Sequence, residues 1–444
     1  MSMRLRRNIC PAFAILALCA SAKAATPTTA FGIIDDMGAG WNLGNSLDAT
    51  GSETAWGNPK TTKAMVDAVR QAGFKTMRVP VRWDEHLGAA PNRTIATAWM
   101  DRVEEIVNYG LSNGMYVIVN IHHNNGWQDP TTANENNAKD YLTKIWAQIA
   151  ARFQKYDNHV IFEVMNEPKY TAGGNDNATD WWGKTEYYQV INRLNAAALS
   201  TIRATGGNNA KRLVMLPGYA ANNDSRMSNL VLPSNDAMIA VSVHSYDPQD
   251  FCMSYSNTQT SVFSDTKFVQ DMFNLVANTF VKKNIPVILG EWAATNKNNL
   301  AERVKHAKFF AKAAKAARIP IVLWDNGSTA AGPDGMGFLT RSQAKFAFPE
   351  IIQAIMAEFP STSVNPAKAN PSGTLELERT RDGFRFTSTA SCTRFTLTGV
   401  NGRTTTLSGG TSGFVARSTL APGLYVLQGE IAGSTPLTRT VLVD

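Results

Sequence analysis

Eight short apolar runs, rich in β-branched residues, recur through the first three quarters of the chain without polar–apolar alternation. They lie at 38–44, 76–81, 116–121, 160–165, 213–216, 238–243, 286–289 and 320–324. A strand with one wet face alternates. A strand covered on both faces does not, and that is the habit of parallel sheets wrapped in helices. Segments with apolar residues at helical spacing lie between the runs: Met65, Val69 and Ala72; Trp99, Val103, Ile106 and Val107; Leu142, Ile145, Trp146, Ile149 and Phe153; Tyr187, Val190, Ile191, Leu194 and Ala198. The stretch 219–236 is the weakest helix candidate. Eight strand–helix units in one domain predict an α/β fold of the (β/α)8 TIM-barrel type over residues 25–359.

The composition changes after Phe359. A Pro-, Ser- and Ala-rich linker is expected over 360–373, then short alternating segments at 374–444 with turns at Asp382-Gly383, Asn401-Gly402 and Pro422-Gly423. That pattern predicts a small all-β sandwich. At the other end, Arg4, Arg6 and Arg7 precede an apolar run too short to span a bilayer, and Ala22-Lys23-Ala24 supplies small residues for cleavage. Residues 1–24 therefore read as a signal peptide, with Ala25 as the mature start and a secreted or cell-surface location. A lipoprotein reading through Cys19 would put bulky Leu18 where a small residue is needed.

Removing that leader takes four cations and no acid, so the formal charge falls from +7 to +3. No basic cluster remains to hold nucleic acid, and no later stretch is apolar enough for a membrane span. Cys252 and Cys392 are left, far apart in sequence, and independent thiols are expected rather than a bridge. A monomer is the expectation.

In a barrel of this type, functional groups sit at the C-terminal strand ends. Those ends carry Asn42, Arg78, His122-His123, Asn166-Glu167-Pro168, His244 and Tyr246, Glu291-Trp292 and Trp324-Asp325-Asn326. Two carboxylates three strands apart, amid cationic and aromatic groups, suit glycoside hydrolysis: one protonates the leaving oxygen and one attacks the anomeric carbon. Arg78 is expected beside Glu291, where a cation favours the ionised carboxylate. His122 and His123 invite a metal reading. Adjacent strand residues face opposite ways, however, so both would not chelate without a bend, and no metal or cofactor is expected.

The motifs resemble glycoside hydrolase family 5. The segments Gly40-Trp41-Asn42-Leu43-Gly44-Asn45 and Glu53-Thr54-Ala55-Trp56-Gly57-Asn58-Pro59 are similar to those of its subfamily 4 endoglucanases. The resemblance spans about 38–359. It implies Glu167 as acid/base within Ile161-Phe162-Glu163-Val164-Met165-Asn166-Glu167-Pro168, and Glu291 as nucleophile within Val287-Ile288-Leu289-Gly290-Glu291-Trp292. It also implies that Tyr246 bonds the nucleophile, that His244 orients the acid/base, and that Trp324 forms a platform under a pyranose ring. Asn166 is expected at the 2-hydroxyl, with Asn42, His122 and His123 as further sugar-site residues. Trp56 and Trp127 are each open between a stacking role and a loop core. Lys169 departs slightly from the family pattern and is expected to leave the chemistry unchanged. The expected activity is a retaining endo-β-1,4-glucanase acting on cellulose or soluble β-glucan. Xyloglucanase, mannanase and xylanase are the enzymic alternatives, and a non-catalytic polysaccharide binder is disfavoured because both glutamates are present. The tail has no tryptophan. Its segments 399–403 and 420–425 resemble the sorting-type β domains of secreted bacterial hydrolases; a binding module or a spacer are the alternatives.

Overall fold

The structure is a computed structural model. It describes residues 27–123, 126–253, 259–360, 375–380, 382–399, 404–430 and 437–443. The expected leader at 1–24, the Ala25 start, the linker beyond Pro360 and the Asn401-Gly402 turn lie outside the described residues.

Each of the eight apolar runs coincides with a strand or overlaps one: β1 (Gly40–Asn42), β2 (Thr76–Val79), β3 (Tyr116–Asn120), β4 (Val160–Glu163), β5 (Val214–Pro217), β6 (Ile239–His244), β7 (Val287–Trp292) and β8 (Ile321–Leu323). Each pairs in parallel with the next, and β8 pairs with β1 to close the barrel. All of these strand residues are buried, as unalternating runs require. Period two divides them. Trp41, Met77, Val117, Phe162, Val241, Leu289 and Leu323 face the surrounding helices, while Ile118, Ile161, Met215, Ala240, Ile288 and Val322 fill the interior.

Helix α1 (Ala30–Met37) precedes the barrel and packs Ala30, Ile33, Ile34 and Met37 onto that inner cluster. Thr29 caps it by accepting from the Gly32 amide at 3.1 Å. Around the outside run α2 (Lys63–Gln71), α3 (Thr97–Ser112), α4 (Glu135–Arg152), α5 (Thr185–Ala204), a short α6 (Gln249–Cys252), α7 (Thr266–Thr279), α8 (Leu300–Ala316) and α9 (Pro349–Glu358). The expectation of eight complete strand–helix units fails between β5 and β6. There the chain makes only 3-10 turns at Tyr219–Ala221 and Ser225–Asn229. Asn222-Asn223-Asp224 and Pro233-Ser234-Asn235-Asp236 are turn formers that compete with helical hydrogen bonding, and no apolar face repeats between them.

After β8, a small pair of strands, β9 (Leu339–Thr340) and β10 (Lys345–Phe346), flanks Arg341. The buried Arg341 guanidinium donates to the Gly44 and Asp325 carbonyls and to Ser46 Oγ, pinning the first strand's loop to the last.

The C-terminal region is all-β, as expected. Its strands β11 (Leu375–Thr380), β12 (Gly383–Gly399), β13 (Thr404–Ala416), β14 (Gly423–Glu430) and β15 (Leu437–Val443) form one curled antiparallel sheet. The long β12 breaks register between Thr387 and Cys392, so its first half pairs with β11 and its second with β14. Curling lets one sheet enclose its own core of Leu375, Phe384, Phe386, Phe395, Leu397 and Leu427. Cys252 and Cys392 are not joined by a disulfide, and each is buried in a separate core.

Candidate active site

The inward positions of the strands change character toward their C-terminal ends, from aliphatic to Asn42, Arg78, Asn120, Glu163, Ser242 and His244. Beside them β7 is irregular. Val243 pairs with Leu289 but His244 with Glu291, so one residue is skipped. The bulge turns Glu291 into the barrel mouth while Trp292 still faces the helices. The skipped residue is Gly290, where a Cβ would crowd His244 Nε2 at 3.1 Å.

Arg78 is the hub of this layer and is fully buried. Its Nη1 donates to Glu291 Oε1 at 2.7 Å and to Asn42 Oδ1 at 2.9 Å. Its Nη2 donates to Asn166 Oδ1 at 2.6 Å, and Nε to Glu163 Oε2 at 2.8 Å. The second carboxylate, Glu163, is itself wholly buried and accepts from Asn120 Nδ2 at 2.9 Å and Ser242 Oγ at 2.6 Å. Burying a guanidinium would be costly alone, yet each of its nitrogens here meets an acceptor. Burial opposes the Arg78 charge, but Glu163 and Glu291 outweigh it and raise its pKa further.

The other oxygen of Glu291 accepts from the Tyr246 hydroxyl at 2.8 Å. Burial, and then the negative charge of Glu291, push the Tyr246 pKa well up, so it remains a donor. Glu167 lies across the mouth, with His244 Nδ1 2.8 Å from its Oε1 and Lys169 Nζ 3.1 Å from its Oε2. One oxygen from each of Glu167 and Glu291 and a ring nitrogen of His244 lie within 4.8 Å of one another. Burial alone would raise the Glu167 pKa, but Lys169 and His244 overcome it and hold the carboxyl below its usual range. His244 moves the opposite way: burial lowers its pKa, and Glu291 and Glu167 more than restore it.

A family model for cellulase, glycosyl hydrolase family 5, matches residues 42–330. The chain belongs to glycoside hydrolase family 5. It is 45% identical over 332 residues to Endoglucanase B of Clostridium cellulovorans, covering 73% of this chain and 74% of that protein. It is also 45% identical over 333 residues to Cellulase/esterase CelE of Acetivibrio thermocellus; that match takes in 74% of this chain but only 40% of the relative's length. Among solved structures it is similar to a GH5-4 broad specificity endoglucanase from Clostridium acetobutylicum, with 44% identity, a TM-score of 0.71, and coverage of 74% of this chain and 99% of that one. A GH5-4 enzyme from Ruminococcus champanellensis with bound cellotriose matches at 41% identity and the same TM-score of 0.71, covering 76% of this chain and 100% of that one. The barrel is that of a cellulase-type glycoside hydrolase, an endoglucanase.

The family 5 barrel gathers most of the residues singled out in the sequence. Arg78 sits beside Glu291, Tyr246 bonds Glu291 and His244 bonds Glu167, as expected. Asn166 adjoins them through Arg78. Trp324 lies parallel to His122, with ring centroids 5.7 Å apart, and packs so closely on Gly44 that a Cβ there would come within 2.7 Å of the indole. His122 Nε2 is 4.0 Å from Glu291 Oε1, and burial drives its pKa well down, keeping it neutral. Burial and then Arg82 bring the pKa of the more open His123 to about 4. Asp48, His122 and His123 could offer three atoms to a cation. However, Asp48 already accepts from the Ser46 and Asn45 amides, and His122 Nδ1 faces Asn120 Nδ2 at 3.1 Å.

Several expectations change. Asn42, expected among the sugar-site residues, is fully buried, donates to the Gly290 carbonyl at 2.9 Å and accepts from Arg78, so it holds the guanidinium. Lys169, expected to be inert, pairs with Glu167 and lies 4.5 Å over the Trp181 ring. Trp127 is buried and stacked on Tyr141, a loop core, whereas Trp56 is 41% exposed with its ring 5.7 Å from His123. Sequence reasoning missed Glu163, Asn120, Ser242 and the exposed Trp181 and Trp182. A charged residue inside the apolar run 160–165 was the available signal for Glu163, and period two back from His244 for Ser242.

Proposed function

We propose that the chain cuts internal β-1,4 bonds of glucan by double displacement, with Glu291 as nucleophile and Glu167 as acid/base. The observation that carries this reading is the close approach of Glu167 and Glu291 around His244. Retaining glycosidases hold their carboxyls roughly 5–5.5 Å apart, and inverting ones leave about 6.5–9.5 Å for a water. Glu291 attacks C1, and the Glu167 proton passes to the glycosidic oxygen as the bond breaks. Glu167 then takes a proton from the water that releases the glycosyl-enzyme.

In the free site the opposed shifts of Glu167 and His244 favour a proton on the imidazole. A sugar filling the mouth expels water, which favours the neutral pair over the charged one and returns the proton to Glu167. Asn166 spends its oxygen on Arg78 and keeps its amide nitrogen for the 2-hydroxyl. Trp324 offers a flat face to the pyranose ring at the cleavage point, with His122 beside it and His123 and Trp56 farther along. None of these steps calls on a metal or cofactor.

Proton NMR of early product is the test: the β-anomer should appear before mutarotation, and α-anomer first would overturn the mechanism. Cellotriose in a relative's site and the broad specificity of others support β-glucans as the substrate class. On a panel of soluble polysaccharides, β-1,4 and mixed-linkage glucans should be cut fastest, ahead of xyloglucan, mannan and xylan. We also propose export as a monomer through residues 1–24, so that the exported protein begins at Ala25. Residues 374–444 would form a separate unit for sorting or attachment; their separate buried core supports the division.

A further inference from the structure

Two trails of side chains leave the catalytic pair. One starts at Glu291: His122 Nε2 stands 4.0 Å from its Oε1, the His123 ring lies 4.5 Å from that of His122, and the Trp56 ring 5.7 Å from that of His123. The loop that carries Trp56 is tied to the loop after β8, where Asn58 Nδ2 donates to the Asn326 carbonyl at 2.9 Å. The other trail starts at Glu167: Lys169 Nζ is 3.1 Å from its Oε2 and 4.5 Å from the centre of the Trp181 ring. Trp181 belongs to the loop between β4 and α5, and that loop is tied to the one after β5. The Ala220 amide donates to the Pro168 carbonyl at 2.9 Å, the Tyr219 hydroxyl to the Asp180 carbonyl, and Arg226 Nη1 to the Trp181 carbonyl. In a closed ring of eight strands, β8 and β1 stand opposite β4 and β5. The trails therefore run to opposite rims of the mouth.

Trp181 is 54% exposed, although its backbone is anchored on both sides. The Asp180 amide donates to the Tyr170 carbonyl at 3.0 Å, and Asp180 Oδ1 accepts from the Trp182 and Gly183 amides at 2.9 Å each. An indole held open on an anchored loop adds little to the core and offers flat apolar surface to a ligand. We propose that Trp181 is the platform for the first glucose unit on the leaving-group side of the scissile bond, so that the glucan lies with its reducing end toward β4 and β5. The proposal rests on Glu167 being the acid/base. The nucleophile meets C1 of the sugar that is retained, and the acid meets the oxygen that departs, so groups beyond Glu167 face the departing chain. Two short steps through Lys169 separate that carboxyl from the indole, which is the reach of about one pyranose ring bonded to the departing oxygen. A β-1,4-linked glucosyl unit carries its hydroxyls equatorially and turns a flat C–H face to such a surface.

The full chain and Trp181→Ala would be compared on cellotetraose, which places sugar on the leaving side, and on β-cellobiosyl fluoride, which places only fluoride there. The ratio of kcat/KM on cellotetraose to kcat/KM on the fluoride should fall roughly tenfold in the variant, and Trp181→Phe should recover part of it. A general loss of fold would lower both substrates alike and leave the ratio in place. The second reading uses the enzyme trapped with 2-deoxy-2-fluoro-β-cellobiosyl fluoride. Added cellobiose should release it: a cellobiose hydroxyl attacks C1, the C1–O bond to Glu291 breaks, and the hydroxyl proton passes to Glu167. The cellobiose concentration for half-maximal release should rise about tenfold in Trp181→Ala. An unchanged substrate ratio, or an unchanged dependence on cellobiose, overturns the platform. Failure to trap any adduct would instead overturn the double-displacement reading, and the substrate ratio alone would then decide the platform.

Discussion

The barrel mouth and the C-terminal sheet are both built of β-strands around a buried core, but they treat charge in opposite ways. The mouth buries Arg78 between Glu163 and Glu291 and surrounds them with Asn42, Asn120 and Ser242. The sheet buries apolar side chains with Ser388 as its buried polar residue among those described, and leaves its Arg394–Glu430 pair 58% and 36% exposed. A packed apolar core is the cheaper way to hold strands together. Interior charge is kept where the chemistry needs oriented donors and carboxylates excluded from water. Perturbing charge should therefore matter greatly in one region and little in the other.

The strongest test of that contrast is Glu291→Ala. Turnover should fall by at least about ten-thousandfold, and azide should restore part of it with formation of an inverted glycosyl azide. Glu167→Ala should cripple natural glucans but spare activated aryl cellobiosides, whose leaving group needs little protonation. Equal losses on both substrates would reverse or dissolve the assignment.

Glu163→Gln probes the buried charge that touches no substrate. Its loss leaves Arg78 short of a counter-charge, which costs about 3–5 kcal/mol when a buried pair is broken. Well below the melting temperature, kcat should fall roughly a hundredfold with KM within about threefold, and Glu163→Asp should recover part. Wild-type kcat in Glu163→Gln would mean that Asn42, Asn166 and Glu291 hold Arg78 unaided.

Lys169→Met should act on pH rather than on rate. A cation beside a carboxylate favours its ionised form, so removing Lys169 raises the Glu167 pKa. The acid then stays protonated to higher pH, and the alkaline limb of the kcat/KM profile should move up by about one unit. A limb that stays in place, or moves down, would assign it to another group.

The smallest effects belong to the sheet. Arg394→Ala should change stability by less than about 1 kcal/mol, because the pair is solvated. Ending the chain after Phe359 should leave activity on soluble glucan within about twofold and the barrel's melting temperature within about 2 °C. A large loss in both would make the sheet part of the catalytic fold and erase the contrast.

Much of this molecule is written locally. The eight strands, the seven helices that follow seven of them, the tail's β character, and the Asn-Glu-Pro and Gly-Glu-Trp strand ends follow from side chains within a turn or a strand of one another. Residue spacing and turn chemistry act over that range, and they also account for the missing helix between β5 and β6, where turn formers displace an apolar repeat. Which inward residues meet was not legible in the same way. Arg78 bonds Glu163 across 85 positions and Glu291 across 213, and those contacts exist only because parallel register and barrel closure bring β2, β4 and β7 together. Asn42 as a support for Arg78, Lys169 as a partner of Glu167 and Trp127 as packing were likewise decided by burial and distance. Residue type names the chemistry a side chain can do; closure of the sheet sets its neighbours, and the neighbours select which of those chemistries it performs.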